Sequence, residues 1–397
     1  MMKRVFVVSL GMASALGADS QHVWRGLVEG LDVVGAPREW PSAAFGGLRS
    51  TLVDLQRMRD ALPEACADAP DTAVCGAVAL HEALHKLPGL DRSAVPPIPL
   101  ILGTTSGGEM DHFVESGEGA RHAGVGASTD YLAERFGLTG PRVTLSSACT
   151  SSAAALIHAA LLIRHGLATV AVAGGCDRAR QADVAGFHAL RALSADHCRP
   201  FDPERGGIVI GDGAAMLVLA SEEVMAEHGW PPLAELVGFG MSCDAFHATA
   251  SDPTGIAIAL EQAIAMAGVE AADIGYVNCH GTGTRLNDKN EADALALVFK
   301  QALPALYATS TKSQTGHLLG TAGAFEAAIS VQVLQTGVIP AMRTVRQRDP
   351  SVGFRLVTNA SVQTDPDFVM SNSLGFGGNN VSLLFKKPPT RRSAHHA

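Results

Sequence analysis

The sequence is poor in aromatic residues, in charged residues and in uninterrupted apolar runs. Aromatic residues make up 5% of its 397 residues and charged residues 17%, whereas hydrophobic residues make up 47%. This composition is typical of a globular protein with a close-packed aliphatic core, and it excludes a disordered chain. Because no stretch reaches the roughly 18 consecutive apolar residues of a membrane-spanning helix, we expect no association with a membrane.

The sequence also lacks an excess of basic residues and a pattern of paired cysteines. A formal net charge of −9 argues against a general nucleic-acid binder, which needs a basic face. The seven cysteines are odd in number and include no closely spaced C-x-x-C pair. This pattern excludes a disulfide framework and a zinc site, and it favours a reducing, cytoplasmic location.

Short apolar runs that end in glycine alternate with helical segments along the chain. Three of these runs lie at residues 5–8, 99–102 and 168–173. Strands that are buried on both faces have this pattern, so we predict an α/β fold with a mostly parallel sheet. A helix is predicted from Thr72 to His85, and the small, polar residues 36–50 and 115–127 are typical of loops.

The second half of the chain repeats the order of features in the first half. Three pairs of segments correspond, namely 98–108 with 274–284, 143–163 with 306–334, and 209–219 with 374–384. Each member of the third pair has the pattern of a strand, a glycine-rich turn and a returning strand. The repetition indicates a duplicated unit, with residues 1–232 and 233–397 as its halves, and predicts a site where the halves meet.

One cysteine stands where a predicted strand meets a predicted helix. Residues 142–145 have a strand pattern and residues 153–163 form an uncharged apolar run, with Cys149 between them. The N-terminus of a helix favours the thiolate, which is the nucleophilic form of cysteine. A small buried residue that fills a tight turn explains this segment equally well when it is considered alone.

Two histidines and a lysine stand at strand-to-glycine transitions in the second half. His280 precedes a Gly-Thr-Gly-Thr segment, and His317 follows Lys312 by five residues. Sheets of α/β proteins bind ligands at this edge. One histidine beside a cysteine would suffice for a thiol hydrolase. Two histidines can also donate hydrogen bonds to a carbonyl that becomes an enolate, which stabilises the developing charge.

Five motifs stand in order along the chain. They are Ser147-Ala-Cys-Thr-Ser151, Arg199-Pro-Phe-Asp-Pro-Glu-Arg205, Asn278-Cys-His-Gly-Thr-Gly-Thr284, Ser310-Thr-Lys-Ser-Gln-Thr-Gly-His-Leu-Leu-Gly320 and Asn372-Ser-Leu-Gly-Phe-Gly-Gly378. In sequence and in order, these motifs resemble those of the elongating β-ketoacyl-acyl-carrier-protein synthases of fatty-acid and polyketide assembly. The resemblance covers residues 3–387. It implies a thiolase-like fold whose duplicated halves form five α-β-α-β-α layers, usually in a dimer.

The resemblance also implies a catalytic role for several residues. Cys149 would accept the acyl chain from the phosphopantetheine of an acyl carrier protein. His280 and His317 would stabilise the enolate that forms when a malonyl-carrier protein loses CO2, and that enolate would attack the Cys149 thioester. The backbone N–H groups of Cys149 and Phe376 would form the oxyanion hole. Motif matching does not assign a proton transfer to either histidine.

Supporting roles follow from the same resemblance. Lys312 would be a structural lysine paired with Glu326, Thr282 and Thr284 would hold the pantetheine arm, and Phe376 would gate malonyl entry. No metal is implied, and no cofactor other than the 4'-phosphopantetheine carried by the acyl carrier protein. The partners would be that carrier protein and either a second copy of the chain or a chain-length-factor-like homologue.

Several positions depart from the family pattern and leave the pathway open between fatty-acid elongation and polyketide or polyene synthesis. Arg205-Gly-Gly-Ile208 stands where the family usually has Arg-Asp-Gly-Phe, Leu374 replaces a common Phe, and Cys279 replaces an Ala. Because carrier proteins are acidic, a local basic patch is expected. The candidates are Arg57 and Arg59 on a helix predicted over residues 51–61, with Arg199 and Arg205 as less favoured alternatives.

Related enzymes differ from this chain at identifiable positions. A thiolase would carry a second catalytic cysteine near Gly375 and Phe376, and an initiating synthase would have Asn in place of His317. A catalytically silent chain-length factor is excluded because Cys149 and both histidines are present. Outside the family, a cysteine–histidine thiol hydrolase is the remaining alternative.

Overall fold

The computed structural model describes residues 2–36, 47–90, 97–105, 107 and 124–389. Its α-helices are α1 Ser20–Glu29, α2 Leu55–Asp60, α3 Asp71–His85, α4 Ala127–Phe136, α5 Ser151–Arg164, α6 Gln181–Ala189, α7 Glu222–His228, α8 Pro253–Ala267, α9 Arg285–Phe299, α10 Lys312–Thr315 and α11 Ala322–Thr336. Short 3-10 helices cover Glu64–Cys66, Ala271–Asp273, Lys300–Ala305 and Leu319–Thr321. The loops predicted at 36–50 and 115–127 lie mostly outside the described residues.

The strands form one large sheet and two small ones. They are β1 Val5–Ser14, β2 Ser50–Thr51, β3 Leu100–Gly103, β4 Arg142–Leu145, β5 Val170–Asp177, β6 Ile210–Gly211, β7 Gly213–Ser221, β8 Ala234–Cys243, β9 Ile274–Asn278, β10 Tyr307–Thr309, β11 Val338–Ile339, β12 Arg355–Leu356, β13 Val362–Gln363, β14 Phe368–Gly375 and β15 Asn379–Lys386. Within the described residues the large sheet has the order β12-β10-β9-β14-β15-β8-β1-β7-β5-β3-β4.

The order of the large sheet shows the duplication directly. The short pairing of β1 with β8 forms a seam. Outward from this seam the first half runs β1, β7, β5, β3, β4, and the second half runs β8, β15, β14, β9, β10. Corresponding neighbours pair with the same relative direction in both halves, antiparallel next to the seam and parallel further out. The predicted duplication is therefore confirmed in the topology of the sheet.

Alternating side chains of the strands define the layers of the fold. In β7, Leu217 and Leu219 face a core shared with α5 and α11, whereas Met216 and Val218 face a second core formed with α3. The second half packs α8 and α9 against the opposite face of its strands. Because successive side chains of a strand point to opposite faces, each half of the sheet lies between two helical layers. The predicted α-β-α-β-α order is confirmed, with α5 and α11 in the middle.

Two details of the predicted sheet are wrong. The sheet is mixed and not mostly parallel, because the strands next to the seam pair antiparallel. The segment at 209–219 is not a hairpin, because β6 pairs with β2 while β7 pairs with β1 and β5. An apolar run indicates that a strand is buried, but it does not indicate whether the neighbouring strand is parallel or antiparallel.

The second predicted hairpin is present. β14 and β15 pair antiparallel over their whole length. Gly377 and Gly378 have φ angles of +84° and +86° in the connecting turn, a left-handed conformation that glycine adopts without strain. None of the helices in the described part of the chain is long and apolar enough to cross a membrane.

Candidate active site

Cys149 lies in a sharp turn between β4 and α5. Ala148, the residue before it, has a φ of +54°, which is unusual for a residue with a Cβ. The Ser151 hydroxyl accepts a hydrogen bond from the Ser147 N–H at 2.9 Å and donates one to the Ala148 carbonyl at 2.6 Å. These bonds hold the turn closed, so that Cys149 precedes the first turn of the helix. The predicted placement of the cysteine at a strand-to-helix junction is confirmed.

The Cys149 thiol is not ionised in the resting site. Burial raises the pKa of Cys149 to about 11, while the nearby Lys312 charge and the backbone N–H of Phe376 act to lower it. Removal of the sulfur from water opposes the activation expected from the helix N-terminus. Cys149 therefore rests as a thiol.

His280 follows β9 and is positioned by a buried carboxylate. Glu291 accepts hydrogen bonds at 2.8 Å from the backbone N–H groups of His280 and Gly281. The Lys312 Nζ lies 3.1 Å from the His280 Nδ1 and also binds the Glu326 carboxylate. Lys312 and Glu326 are almost completely buried, so the structure contains the predicted ion pair within the protein interior.

His317 is held by the backbone of both halves of the chain. Its N–H donates to the Val209 carbonyl at 2.6 Å and its carbonyl accepts from the Gly211 N–H at 3.0 Å. The Leu319 N–H donates to the His317 Nδ1 at 3.0 Å. The segment that failed to form the first predicted hairpin therefore fixes the main chain of this histidine.

Both histidines are neutral, and their proton positions follow from their hydrogen bonds. Burial lowers the pKa of His280 and of His317 well below the usual value, and the Lys312 charge lowers both further. A neutral imidazole has one N–H. Because each Nδ1 faces a donor, Leu319 N–H for His317 and the Lys312 ammonium for His280, each proton lies on Nε2. The two rings stand almost perpendicular, with centroids 5.3 Å apart.

The structure brings Cys149, His280 and His317 into one buried cluster. One potential ligand atom from each residue lies within 4.8 Å of those of the other two. Sulfur and two imidazoles are a donor set that zinc also uses. A protonated Nε2 cannot bind a metal ion, however, so these tautomers fit a hydrogen-bonded oxygen better than a metal.

A cavity opens onto this cluster. Its lining includes the two threonines predicted to hold the pantetheine arm and the phenylalanine predicted to gate malonyl entry. Thr282 and Thr284 lie on its wall with their hydroxyl oxygens 2.9 Å apart. Phe376 lies at its edge and is 37% exposed, with its ring centroid 5.7 Å from that of Phe187. The departures Ile208 and Leu374 also line the cavity.

Several lining residues were missed by the sequence reasoning. They are Phe187, Ala192, Thr249, Ser251 and Asn287. These residues lie on α6, on α9 and in loops, and they belong to none of the five motifs. Only the folded arrangement brings them to the cavity wall, so the sequence carried no signal that could have found them.

The exposed rim of the cavity is apolar and basic. Leu190 and Leu286 are 52% and 58% exposed, and Arg191 and Arg285 lie beside them. The arginines predicted for a basic patch lie elsewhere, on α2, and Arg59 is already bonded to Asp71 at 2.6 Å. Neither Arg57 nor Arg59 lines the cavity that leads to Cys149.

Comparisons with known proteins agree with the geometry. The family models for the N-terminal and C-terminal domains of β-ketoacyl synthases match residues 2–224 and 233–346. Nodulation protein E of Rhizobium meliloti is 33% identical, with 97% of this chain and 99% of the relative covered. The 3-oxoacyl-[acyl-carrier-protein] synthase 2 of Vibrio harveyi is 33% identical at the same coverage.

Solved structures show the same likeness along the whole chain. A chain of the ishigamide ketosynthase/chain length factor is 29% identical with a TM-score of 0.90, covering 98% of this chain and 100% of that one. The ketosynthase ApeO in complex with its chain length factor ApeC, from Xenorhabdus doucetiae, is 30% identical with a TM-score of 0.84, and the match covers 97% and 98% of the two chains. With its duplicated fold and its buried Cys149, His280 and His317, the chain belongs to the β-ketoacyl synthase family.

Proposed function

We propose that the chain is a β-ketoacyl-acyl-carrier-protein synthase, a condensing acyltransferase that extends an acyl chain by two carbons. The observation that carries this proposal is the buried cluster of Cys149, His280 and His317, in which a thiol faces two neutral imidazoles with protonated Nε2 atoms. A thiol hydrolase would need one histidine free to act as a base. Here both Nδ1 atoms are occupied and both pKa values are low, so donation to an oxygen is favoured.

In the first half-reaction, Cys149 takes the acyl group from the carrier protein. The Cys149 sulfur attacks the thioester carbonyl and the bond to the pantetheine sulfur breaks. The proton of Cys149 ends on the departing pantetheine thiol, so the step is neutral overall. The buried Lys312 charge stabilises the sulfur as it loses its proton.

In the second half-reaction, a malonyl-carrier protein loses CO2. The carbon–carbon bond to the carboxylate breaks, and its electron pair forms an enolate whose negative charge lies on the thioester oxygen. The Nε2–H groups of His280 and His317 donate to that oxygen, which stabilises the enolate without any proton transfer. Lys312 holds His280 in the required tautomer, and Glu326 compensates the charge of Lys312.

Condensation then joins the two acyl units. The enolate carbon attacks the Cys149 thioester, and the tetrahedral oxyanion receives hydrogen bonds from the backbone N–H groups of Cys149 and Phe376. The backbone N–H of Phe376 already faces the Cys149 sulfur. Collapse of the oxyanion releases the β-ketoacyl-carrier protein and expels the Cys149 thiolate, which takes up a proton from water.

The carrier protein delivers its substrates through the cavity mouth. Thr282 and Thr284 line the path to Cys149 and hold the pantetheine arm, while Phe376 gates malonyl entry. The exposed Arg191 and Arg285 suit the acidic surface of a carrier protein. The pantetheine arrives as part of the substrate.

A second subunit is also part of the proposal. β4 ends the large sheet and pairs only with β3 among the described residues, so its other edge offers free backbone groups. The partner is either a second copy of this chain or a chain-length-factor-like homologue of the kind bound to ApeO. A homodimer fits fatty-acid synthesis and a heterodimer fits polyketide or polyene synthesis, and a pull-down from the native host distinguishes the two.

Two further proposals concern the organisation and location of the chain. The division between the halves falls at residues 232 and 233, because β8 begins at Ala234 and opens the second set of strands. All seven cysteines lie in the described residues and are free thiols. These thiols support a cytoplasmic location, since reducing compartments keep cysteines unpaired.

The function is tested by mass spectrometry of the protein after incubation with a panel of acyl-carrier proteins. We expect a mass increase of one acyl group on Cys149, followed by its loss on addition of malonyl-carrier protein and the appearance of a β-ketoacyl-carrier protein. The matched control is a protein alkylated at Cys149 beforehand. Release of free acid without malonyl-dependent extension would show a thiol hydrolase and overturn the proposal.

A further inference from the structure

The carboxylate of Asp177 connects the two halves beside the catalytic cluster. Asp177 is the last residue of β5 and is 4% exposed. Its Oδ2 accepts hydrogen bonds from the Thr105 N–H at 2.9 Å, from the Thr105 hydroxyl at 3.0 Å and from the Gly320 N–H at 2.7 Å. Its Oδ1 accepts from the Thr104 hydroxyl and from the Thr105 N–H at 3.1 Å. One side chain of the first half therefore binds the main chain of the second half.

The bonded Gly320 belongs to the same turn as the donor to His317. Leu319 donates its N–H to the His317 Nδ1, and Gly320 is the next residue. Leu319 has a φ of +53°, a strained conformation for a residue with a branched side chain. A strained turn persists only where its surroundings hold it in place. The Gly320 N–H donates hydrogen bonds at 2.7 Å to the Asp177 Oδ2 and to the Thr105 hydroxyl oxygen, and these bonds supply that constraint.

The turn at Gly320 also packs tightly against the first half of the chain. A Cβ on Gly320 would lie 2.6 Å from the carbonyl carbon of Thr104 and 2.7 Å from the Asp177 Oδ2. The turn is therefore pressed directly against the loop that follows β3. A shift of this turn would move the Leu319 N–H away from the imidazole, because the two groups are adjacent in the chain.

We propose that Asp177 is a positioning residue for His317. It holds the turn at Leu319 and Gly320, which keeps the His317 Nδ1 as an acceptor and leaves the Nε2–H directed at the substrate oxygen. This inference rests on the proposed function, since it assigns to Asp177 an effect on the decarboxylation step. Asp177 touches no reacting atom and acts only through Gly320 and Leu319.

An ionised carboxylate suits this role because it only accepts hydrogen bonds. An asparagine in its place would turn an NH2 group, which is itself a donor, toward one of the N–H or O–H groups that now donate to Asp177. Burial raises the pKa of Asp177 to about 7, whereas the hydrogen bonds from Thr104 and Thr105 lower it. Its charge also raises the pKa of Cys149. Loss of that charge would ease ionisation of the thiol, so the two half-reactions respond in opposite directions.

The test measures the two half-reactions separately in Asp177→Asn. We expect malonyl-carrier-protein decarboxylation to fall about tenfold to a hundredfold, because a misplaced donor loses much of its effect on the enolate. Acylation of Cys149 should be unchanged or faster. In protein labelled with 15N-histidine, the His317 signals should show loss of the pure Nε2–H tautomer.

A matched control is Asp202→Asn, which also removes a buried carboxylate that accepts main-chain N–H groups from a distant segment, those of Arg346 at 2.8 Å and Gln347 at 3.1 Å. We expect this variant to be less stable, with decarboxylation and acylation affected to the same extent. If Asp177→Asn does not fold, Thr105→Val removes the hydroxyl bonded to both Asp177 and Gly320. It should lower decarboxylation about threefold to tenfold with acylation retained.

The outcomes separate this inference from the proposed function. A wild-type protein that neither acylates Cys149 nor decarboxylates malonyl-carrier protein would overturn the function. A wild-type protein that performs both steps, with variants of Asp177 or Thr105 that impair both equally or neither, would overturn the positioning role alone. A selective loss of decarboxylation together with an altered His317 tautomer supports it.

Discussion

The turn after β4 and the segment after β10 occupy equivalent positions in the two halves. Their functional side chains, however, differ in chemical type. Residues 146–150 lead directly into α5 and place one buried thiol at the apex of a tight turn. Residues 310–321 instead contain α10 and a 3-10 turn before α11, and they carry Lys312 and His317. The short turn holds the proposed nucleophile, and the longer segment holds a charge and a proposed hydrogen-bond donor.

Under the proposed mechanism, this difference divides a two-step reaction between the two halves of the fold. The uncharged turn buries its thiol, so Cys149 needs help to ionise. The longer segment supplies that help through Lys312. Burial, reinforced by the same Lys312 charge, keeps the two histidines neutral. One buried charge thus favours the thiolate and disfavours the imidazolium. We therefore expect changes in the short turn and changes in the longer segment to affect different half-reactions.

The largest expected effect follows from changing the short turn. Cys149→Gln should reduce condensation by at least about a thousandfold, because no nucleophile remains to hold the acyl group. Malonyl decarboxylation should continue, since both histidines stay in place. Release of CO2 and formation of β-ketoacyl-carrier protein are measured in parallel. Full condensation by this variant would show that Cys149 is not the nucleophile.

The complementary changes remove a donor from the second half. His317→Ala and His280→Ala should each lower decarboxylation about a hundredfold to a thousandfold, the usual cost of losing one donor to a developing oxyanion. Acylation of Cys149, followed by mass spectrometry, should be retained. His165→Ala removes an exposed histidine at the end of α5 and serves as the control. If His317→Ala and His280→Ala lowered acylation as much as decarboxylation, the proposed division of the half-reactions between the two segments would be wrong.

The electrostatic coupling between the two segments is tested through pH. Because the pKa of Cys149 is about 11, its thiolate fraction and its alkylation rate should rise about tenfold per pH unit between pH 7 and pH 9. Lys312→Met removes a charge that lowers this pKa, so alkylation should be slower at every pH in that range. Cys149→Ala corrects for labelling of the exposed Cys243. A rate that levels off near pH 8 in the wild type would contradict the buried thiol.

The smallest expected effect concerns the contact between the two central helices. A Cβ at Gly323 on α11 would lie 2.7 Å from the Cβ of Ala153 on α5. Gly323→Ala should therefore destabilise the protein by about 1–3 kcal/mol, the usual cost of overpacking a core. Gly186→Ala on α6, where no atom lies within 4 Å of the new Cβ, should be neutral or stabilising by up to about 1 kcal/mol. Chemical denaturation measures both, and equal effects would contradict tight packing between the halves.

Much of the fold was predictable because burial leaves a periodic pattern in the sequence. The strand predicted at residues 5–8 lies within Val5–Ser14, and α3 begins within one residue of its predicted start. The direction of the strands near the seam was not predictable. Apolar runs look the same in parallel and antiparallel strands when both faces are covered, so the pattern could not show that the sheet is mixed.

The same limit applies to the site. Cys149, His280, His317 and Lys312 could be predicted because each stands in a short motif whose spacing is local. Phe187 could not, because it reaches the cavity wall through packing against residues distant in the chain, such as Phe376. Nor could the role proposed for Asp177, whose hydrogen bonds reach residues far away in the chain.

Local sequence was therefore enough to place a thiol before a helix and two histidines after strands, since those positions depend on neighbouring residues. The tertiary structure alone decided which imidazole nitrogen carries a proton and whether the thiol is ionised. Both properties depend on burial and on donors contributed by distant segments, such as Lys312 Nζ at His280 and the Leu319 N–H at His317. These long-range contacts convert three predicted side chains into a site with a defined protonation state.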